Sequence, residues 1–495
     1  MKMDYTQIGR SFLPIFLLPA FTLAAQADKG RKPNVIFILA DDLGYTDLGN
    51  TGSEFYETPH IDQLFKEGFS FTQAYAACPV SSPSRASLMT GKYPARINLT
   101  DYIPGNRAYG PHKDQQLQSL PFNLFLSPNE TTIAEAFHQN GYSSMIAGKW
   151  HLSECEAYYP EQNGFDINIG GNKTGHPAGG YFSPYKNPQI KDGPEGEYLT
   201  DRLTDEVIQY IKQKKENPFF VYLSYYTVHL PLDAKPEKIA KYEQKLKQMA
   251  NSGTNYLKQG NTYHKLIQNV TKYAAMVESL DENVGRLLQA LKDNGLDENT
   301  IVVFTSDNGG MATSNQPDNI PTSNLPLRSG KGYLYEGGIK VPACIRWTNH
   351  IQSHKACSVP IIGTDFFPTL LDLCGLELLP RQHQDGISLK PVLYGGSETR
   401  EAIYWHYPHY SGGLGGRPSA AIRLGNYKLI EFFEDKHLEL YDVIHDVSEQ
   451  NDLSIAMPEV REKLKNKLHS WYKEVHAVMP IKNPVYIKEN SKLNK

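Results

Sequence analysis

Two apolar runs in this chain each end in a pair of oxygen-bearing side chains. Residues 35–40 are continuously apolar and rich in β-branched side chains, and Asp41 and Asp42 follow them directly. A second, largely apolar run ends in Asp307 and Asn308. Runs of this kind are typical of strands that are buried on both faces, as in a parallel sheet covered by helices. The chain is therefore expected to build a sheet whose strand ends carry polar groups.

Strand-like and helix-like patterns alternate from the first run to about residue 375. We predict strands at 143–147, 218–226 and 300–306, and helices at 131–140, 199–215 and 273–294. This alternation favours an α/β fold, in which a largely parallel sheet is flanked by helices on both faces. Open sheets of this kind bind ligands at the C-terminal ends of their strands.

The pattern changes after about residue 395, where short strands and tight turns replace the alternation. We predict strands near 402–407, 420–423, 427–433 and 438–441, then a helix at 459–475. These elements indicate a smaller α+β subdomain at 396–495, after a larger domain at 28–395. Insertions at 101–130, 155–197 and 235–270 interrupt the larger domain, and we expect them to face substrate or to form solvated surface.

The composition excludes several classes of protein. The 495 residues carry 50 Lys and Arg against 54 Asp and Glu, so this near-neutral chain is not a basic nucleic-acid binder. Its 31 Tyr and 20 Phe allow a large core and exclude a disordered chain. The five cysteines form an odd, sparse set without a CxxC motif, which excludes a disulfide framework and a zinc signature.

The N-terminus has the pattern of a signal peptide. Basic residues flank a polar start, and residues 11–24 are apolar but too short, and too interrupted by proline, to span a bilayer comfortably. Ala25 and Ala27 supply small residues for cleavage, so we expect residues 1–27 to be removed on export. An uncleaved anchor is the alternative, and no other stretch of the sequence predicts a membrane span.

A stretch of small residues between Cys78 and Gly91 places Ser81 at the start of a helix-like segment. Free backbone amides and the helix macrodipole favour an anion at such an N-terminus. Arg85 adds a fixed positive side chain about one turn further on. A capping serine beside a structural arginine is the alternative explanation.

The side chains that follow the two apolar runs suit a divalent cation. Asp41, Asp42, Asp307 and Asn308 offer hard oxygen atoms, which Ca²⁺ and Mg²⁺ prefer as ligands. Either pair taken alone is better explained by helix caps or turns. Because both pairs directly follow buried strands, we predict that together they form one metal site.

These segments resemble the formylglycine-dependent sulfatases of the alkaline-phosphatase superfamily, in their serine-type bacterial form. Residues 81–85 are similar to the signature C/S-x-P-S-R, and four other blocks occur in the order of that family. The blocks are Asp41–Tyr45, Gly148–Leu152, Ser306–Gly310 and Gly330–Gly338. The resemblance covers essentially the whole chain after the signal peptide. It implies an alkaline-phosphatase-like domain with a large mixed sheet, and a C-terminal domain with a four-stranded antiparallel sheet.

The resemblance also implies a nucleophile and a cofactor. Ser81 would be oxidised to formylglycine, and the hydrate of this aldehyde would attack sulfur and later expel the sulfate. Asp41, Asp42, Asp307 and Asn308, together with residue 81, would bind a Ca²⁺ that neutralises charge on the transferring group.

Basic side chains complete the implied catalytic set. Arg85 and Lys149 would hold the nucleophile and the sulfate, and Lys331 would bind a sulfate oxygen. His229 would bind sulfate and assist departure of the alcohol, and His151 would act as the base that collapses the covalent sulfate. Surface positions for the two lysines and a core position for His151 are the alternatives.

A serine at position 81 implies a particular maturation partner. Members of the serine type are oxidised by an anaerobic radical S-adenosylmethionine enzyme, typically before export. The resemblance therefore implies a periplasmic product of an anaerobic bacterium.

Recognition of the group that carries the sulfate is expected from the insertions and the C-terminal part. The candidates are Asp101, His112, His176, His406, His409, Arg417 and Arg423. The aromatic run at 405–410 suits either stacking on sugars or packing on the core. Residues 326–328 resemble sulfatases that act on galactose- or N-acetylgalactosamine-type sugars. We therefore expect exo-acting hydrolysis of a sulfated glycan, with a 4-O-sulfated galactose-type sugar as the specific hypothesis.

Two other functions are alternatives at this point. The first is a phosphodiesterase or phosphonate hydrolase of the same superfamily, although such enzymes often bind two transition metals through several histidines. The second is a non-catalytic glycan-binding pseudoenzyme, in which Ser81 is never oxidised.

Overall fold

The computed structural model describes residues 31–104, 112–214, 217–249, 254–397 and 400–487. The predicted signal peptide at 1–27 lies outside these described residues. Among the helices that are described, none is both long enough and apolar enough to cross a membrane. The described residues from Pro33 onward form one compact unit, and the boundary at 395/396 stays a prediction.

An eight-stranded sheet lies at the centre of this unit. Its strands are β1 Asn34–Ala40, β2 Phe69–Phe71, β3 Ser143–Gly148, β4 Ile167–Ile169, β5 Phe219–Ser224, β6 Thr300–Ser306, β7 Ala343–Arg346 and β8 Lys355–Cys357. Their order across the sheet is β8-β2-β7-β6-β1-β5-β3-β4. Among these eight strands, only β7 runs opposite to the rest. The sheet is thus mixed and mostly parallel, which confirms the predicted fold class.

Helices cover both faces of the sheet. They are α1 Pro59–Glu67, α2 Ser81–Thr90, α3 Ile133–Gln139, α4 Leu199–Lys214, α5 Pro236–Gln248, α6 Thr271–Asp293, α7 Glu336–Ile339, α8 Phe366–Leu373, α9 Lys390–Leu393 and α10 Pro458–Glu474. Ile36 and Ile38 of β1 pack in the core with α1, α4 and α6. Phe37 and Leu39 point the other way and pack with α2, α3 and α8. Because alternate side chains enter different cores, β1 has to be apolar throughout.

A separate four-stranded antiparallel sheet lies in the C-terminal part. Its strands β9 Ala402–Tyr407, β10 Ser419–Leu424, β11 Tyr427–Phe432 and β12 Leu438–Asp442 follow one another in chain order. Leu464, Leu468 and Trp471 of α10 share a core with this sheet. This is the antiparallel sheet that the resemblance implied.

Short strands organise parts of the insertions. Tyr256–Gln259 and Thr262–Lys265 form a hairpin, to which Thr313–Ser314 adds a third strand. Leu117–Gln118 pairs with Ile481–Lys482 near the C-terminus. Ala74–Tyr75 pairs with Ile361–Ile362.

Candidate active site

Four neighbouring strands bring the predicted catalytic side chains to one edge of the central sheet. β6, β1, β5 and β3 are adjacent and parallel, so their C-terminal ends lie together. Asp41 and Asp42 follow β1, and Asp307 follows β6. Lys149 follows β3, and His229 lies shortly after β5. The sheet therefore assembles residues that are far apart in the sequence.

Three buried carboxylates and one amide meet at this edge. Oxygen atoms of Asp41, Asp42 and Asp307 all lie within 4.8 Å of one another. The backbone NH of Asp42 donates to Asp307 Oδ1 at 3.1 Å, and Asn308 Nδ2 donates to Asp42 Oδ1 at 2.9 Å. The side-chain oxygen of Asn308 lies 3.4 Å from Ser81 Oγ. The four predicted metal ligands are therefore neighbours, and their hard oxygen atoms fit a divalent cation.

Ser81 begins α2 and faces this group of oxygen atoms. Val80 before it is extended, so the free amides of the helix begin at the serine and favour a negative charge there. Ser81 Oγ lies 3.3 Å from Asp41 Oδ1 and 3.2 Å from Lys149 Nζ. The residue is only 2% exposed. The predicted nucleophile thus lies between an acidic and a basic side chain.

Arg85 is held behind the carboxylates and does not line the cavity above Ser81. Its Nε donates to Asp307 Oδ2 at 3.0 Å, and its Nη1 donates to Ser224 Oγ at 2.6 Å. Burial acts to raise the pKa of Asp307, but Arg85 and Lys149 outweigh this effect and hold that pKa well below its usual value. Arg85 therefore keeps Asp307 ionised and fixed in position.

The two predicted lysines pair with two different carboxylates. Lys149 Nζ donates to both oxygens of Asp41 at 2.9 and 2.8 Å, and Lys331 Nζ donates to Asp42 Oδ2 at 2.8 Å. Burial raises the pKa of Asp41 to about 7, even though Lys149 acts to lower it. Burial also favours a higher pKa for Asp42, but Lys331 outweighs it and the pKa is lowered. Neither lysine is a surface residue, and Lys149 is completely buried.

The two predicted histidines differ in what each ring nitrogen contacts. His151 Nε2 contacts the carbonyl oxygen of Ile103, and its buried Nδ1 has no hydrogen-bond partner among the described residues. A neutral ring then donates through Nε2 and keeps Nδ1 as the basic nitrogen. Burial, reinforced by Lys149, lowers the pKa of His151 far below its usual value.

His229 is oriented by its own backbone neighbour. Its Nδ1 lies 2.7 Å from the carbonyl oxygen of Leu230, and its Nε2 lies 3.6 Å from Asp42 Oδ2. Burial, together with Lys331, lowers the pKa of His229 to about 3. The ring is therefore neutral, with Nε2 as its basic nitrogen.

A cavity of about 590 Å³ opens above these residues. Ser81, Lys149, His151, His229 and Lys331 all line it. Its other lining residues are Val80, Tyr102, Ile103, Pro104, Glu154, Lys173, Thr174, Gly175, His176, Tyr407, Ser411 and Leu414. Except for Val80, these come from the insertions, from the 150s and from the C-terminal part. The predicted catalytic residues other than Arg85 therefore share one cavity with the expected substrate-facing regions.

Of the seven predicted substrate residues, His176 lines the cavity directly. Asp101 lies buried behind the wall, where its Oδ1 accepts from the Tyr407 hydroxyl at 3.1 Å. His409 is also buried, and its Nε2 lies 2.8 Å from Thr100 Oγ1. These two residues support the cavity wall from behind. His112 is exposed and does not line the cavity.

Two of the seven are a correction to the sequence analysis. His406 is buried on β9 with its Nε2 3.0 Å from the carbonyl oxygen of Val478. Arg423 is buried on β10, where its Nη1 donates to Gln73 Oε1 at 2.7 Å. Both are committed to partners within the protein and lie away from the cavity. Arg417 lines a different cavity and pairs with Glu434 at 3.2 Å.

Several lining residues were not predicted from the sequence. Tyr102, Lys173 and Thr174 lie in the insertions that were expected to face substrate, and Tyr407 lies in the aromatic run. The sequence indicated the regions in which these residues lie, but it did not indicate their individual positions. Glu154 lies just past the block at Gly148–Leu152 and had no signal of its own.

Known proteins match this chain over most of its length. The family model described as Sulfatase matches residues 33–376, and the one described as N-sulphoglucosamine sulphohydrolase, C-terminal, matches residues 329–474. The chain is 31% identical to a sulfatase of Formosa agariphila, over 90% of this chain and 89% of that protein. It is 30% identical to the N-acetylgalactosamine-6-sulfatase of Mus musculus, over 84% of this chain and 74% of that protein.

Solved structures agree with these matches. The crystal structure of Ps i-CgsB in complex with k-i-k-neocarrahexaose is 30% identical, covers 93% of this chain and 96% of its own, and superposes with a TM-score of 0.72. The phosphonate monoester hydrolase of Agrobacterium radiobacter shares the fold, at 20% identity and a TM-score of 0.60. Together with the family match over residues 33–376, these findings show that the chain belongs to the sulfatase family of the alkaline-phosphatase superfamily and is a sulfuric ester hydrolase.

Proposed function

We propose that this sulfatase is an exo-acting enzyme that removes sulfate from a glycan, with oxidised Ser81 as nucleophile and Ca²⁺ as cofactor. The arrangement at Ser81 carries the proposal. Its Oγ lies within 3.5 Å of Asp41, Asn308 and Lys149 at the floor of a cavity. An unmodified serine would form a sulfate ester with no second hydroxyl to break it. Oxidation to formylglycine supplies an aldehyde hydrate with two hydroxyls, one to attack sulfur and one to release the sulfate.

The cofactor would be held by the oxygen atoms at the strand ends. Asp41, Asp42, Asp307 and Asn308 are the ligands that this chain offers. A bound divalent cation would neutralise negative charge on the transferring sulfate. The phosphonate and phosphodiester alternative is less well supported, because the described acidic cluster contains no histidine ligand.

The basic side chains would divide the remaining work. Lys149 holds its ammonium 3.2 Å from Ser81 Oγ and would stabilise an anionic nucleophile. Lys331 lies beside Asp42 and lines the cavity, so it would donate to a sulfate oxygen. His229 lines the same cavity, and a bound sulfate anion would favour protonation of its Nε2, which would then donate to the anion. His151 presents a basic Nδ1 next to the cavity and would take the proton in the second step.

Burial of Ser81 bears on maturation. At 2% exposure the side chain cannot enter the active site of another enzyme once the chain has folded. Oxidation would therefore precede folding, which supports the expected sequence of events. A radical S-adenosylmethionine enzyme would modify the unfolded chain, and export to the periplasm would follow.

The substrate proposal is a galactose-type sugar. The mouse relative is named for N-acetylgalactosamine 6-sulfate, and Ps i-CgsB was crystallised with k-i-k-neocarrahexaose. The first name gives a 6-sulfate, so we extend the 4-O-sulfate hypothesis to 6-O-sulfated sugars of the same type. Lys173 and His176 line the cavity beyond the catalytic set and add basic groups for an anionic ligand.

The test combines mass spectrometry with a substrate panel. Protein from native cells is expected to yield a Ser81 peptide lighter by two hydrogen atoms, and to release sulfate from 4-O- or 6-O-sulfated galactose or N-acetylgalactosamine. Matched phosphate esters are assayed in parallel. An unmodified peptide with no sulfate release would establish the pseudoenzyme, and faster phosphate release would establish the phosphohydrolase alternative.

A further inference from the structure

A second cavity of about 610 Å³ lies beside the catalytic one. It is bounded by the hairpin at 256–265, by residues 328–335 and by the loop at 410–417. Its lining residues include Gln115, Gln259, Asn261, Thr262, Asn315, Tyr333, Tyr410, Arg328 and Arg417. None of the catalytic residues above lines this cavity, so it needs an explanation of its own.

One short turn separates the two cavities. Ser411 and Leu414 line the catalytic cavity, and the four glycines of the same turn line the second one. A second link is the segment after Lys331, because that lysine lines the catalytic cavity and Tyr333 lines the other. A ligand that extends past this turn would therefore contact both cavities.

The separating turn is firmly held. The carbonyl oxygen of Gly413 accepts from the backbone NH of Asn315 at 2.7 Å, and that of Leu414 accepts from Thr313 Oγ1 at 3.0 Å. A Cβ at Gly416 would overlap the carbonyl oxygen of Gly332, so the backbones touch there. The two cavities are thus held at a fixed distance from each other, as subsites for one ligand require.

The second cavity offers uncharged hydrogen-bonding groups. Gln115, Gln259, Asn261 and Asn315 line it, and within the described residues none of their side-chain amides forms a hydrogen bond with the protein. Each can both donate and accept. Tyr333, half-buried on the same wall, adds an aromatic face. Amides next to an aromatic ring suit the hydroxyls and the apolar face of a sugar.

The two arginines of this cavity already have partners. Arg417 pairs with Glu434 at 3.2 Å and lies over the Phe432 ring. Arg328 donates to the Tyr441 hydroxyl at 2.9 Å and to the carbonyl oxygen of Glu449 at 2.8 Å. Glu439, 3.9 Å from Arg328 Nη1, and Glu434 offset the charge of these two guanidiniums, and Asp114 adds a carboxylate to the lining, so the cavity has little net positive charge to attract a second sulfate. In this the cavity differs from the catalytic one, which is lined by three lysines.

We infer that the second cavity is a subsite for an uncharged sugar unit of the same glycan whose sulfated unit lies in the catalytic cavity. The inference rests on the proposed glycan substrate. In this arrangement the side-chain amides of Gln259 and Asn261 determine which length of glycan is preferred, and they take no part in the chemical step. The sulfated unit is thereby recognised together with a neutral neighbour.

The test compares two substrates in one variant. Gln259→Ala/Asn261→Ala removes two exposed amides, and Gln244→Ala on the exposed side of α5 is the matched control. The substrates are a sulfated galactose-type monosaccharide and a trisaccharide that carries the same unit with two neutral sugars. The kcat/KM for the trisaccharide divided by that for the monosaccharide is expected to fall about fivefold or more in the double variant, since a hydrogen bond contributes on the order of 1 kcal/mol. The control is expected to keep the wild-type ratio.

A binding measurement separates this inference from the proposed function. The desulfated trisaccharide is titrated into the full-length protein, and the double variant is expected to bind it about fivefold more weakly. Weakened binding without any sulfate release would overturn the proposed function but leave the subsite standing. An unchanged ratio together with unchanged binding would overturn the subsite. Tighter binding of a trisaccharide whose neighbouring units are sulfated would overturn its assignment to an uncharged sugar.

Discussion

The described part of this protein includes two clusters of buried charge that differ in their surroundings: the catalytic cluster faces the predicted nucleophile, and the C-terminal cluster does not. The catalytic cluster consists of Arg85, Lys149 and Lys331 with the three strand-end carboxylates. The C-terminal cluster is centred on Lys428, whose Nζ lies 2.7 Å from Glu336 Oε1 and 2.8 Å from Glu449 Oε1. All three residues of this second cluster are fully buried. The second cluster ties β11 to α7 and to the loop after β12.

A shifted pKa does not by itself mark a catalytic site. Burial raises the pKa of Glu449 to about 7, as it does for Asp41, so a shifted pKa is common to both clusters. The two clusters differ in how many carboxylates share one cationic side chain and in whether the cluster lies next to a cavity. Lys428 is shared by two carboxylates inside the protein, whereas Asp41 and Asp42 each have a lysine and lie below an open cavity. Convergence of oxygen atoms beside Ser81 is therefore more informative than burial.

At the catalytic cluster, one substitution is expected to remove activity while leaving the protein folded. Ser81→Ala in matured protein is expected to lower kcat by about six orders of magnitude, as removal of the nucleophile does in a serine hydrolase. The hydrogen bonds of Ser81 Oγ are 3.2 Å or longer, so the fold is expected to persist. Sulfate release and thermal unfolding measure the two effects.

The same helix provides the control for this variant. Ser87 is buried in α2, and its Oγ has no hydrogen-bond partner among the described residues. Ser87→Ala is therefore expected to keep wild-type sulfate release. Comparable activity in the two alanine variants would contradict the assignment of the nucleophile.

At the C-terminal cluster, a substitution is expected to lower stability and to leave kcat nearly unchanged. Lys428→Met leaves Glu336 and Glu449 buried without their cation, which is expected to lower the free energy of unfolding by about 3–5 kcal/mol. The kcat of the remaining folded enzyme is expected to stay near wild type, because Lys428 does not line the catalytic cavity. Urea unfolding and sulfate release at low temperature measure this. A loss of kcat in folded protein would show that the two clusters are coupled.

The stabilisation expected from Ca²⁺ at the catalytic cluster is smaller than the loss of stability expected from Lys428→Met at the C-terminal cluster. At 100 times its dissociation constant, a bound ion stabilises the folded state by about 2.7 kcal/mol. Adding Ca²⁺ to chelator-treated protein is therefore expected to raise the melting temperature and to restore activity. Asp41→Asn is expected to abolish this rise, and Glu449→Gln is expected to retain it. A rise that persists in Asp41→Asn would place the ion elsewhere.

The position of the His151 ring is expected to influence activity more weakly. A Cβ at Gly175 would overlap this ring, so Gly175→Ala is expected to displace it and to lower kcat about tenfold. At Gly363, by contrast, the nearest heavy atom to an added Cβ is 3.5 Å away, which makes Gly363→Ala the matched control. Equal kcat values in the two variants would show that the ring position is unimportant.

The carboxylates of the catalytic cluster were predictable because they follow a simple rule of parallel sheets, whereas Arg85, Lys149 and Lys331 were predicted from the family resemblance. The apolar runs located the strands, and the carboxylates at their ends had to meet at one edge. The substrate residues obey no such rule. On β9, His406 faces Val478 while the next residue, Tyr407, lines the cavity. Alternate strand residues point to opposite faces, and the sequence did not show which face of β9 would meet the cavity.

The wide spacing of the catalytic residues along the chain has a consequence for biosynthesis. Asp42 and Lys331 contact each other across 289 positions. A nascent chain that stops before β6 lacks Asp307, Asn308 and Lys331, so no truncated translation product of that kind could assemble the catalytic cluster. Such long-range pairing is also slow to form. Sulfate release is therefore a stringent reporter of a full-length, correctly folded polypeptide.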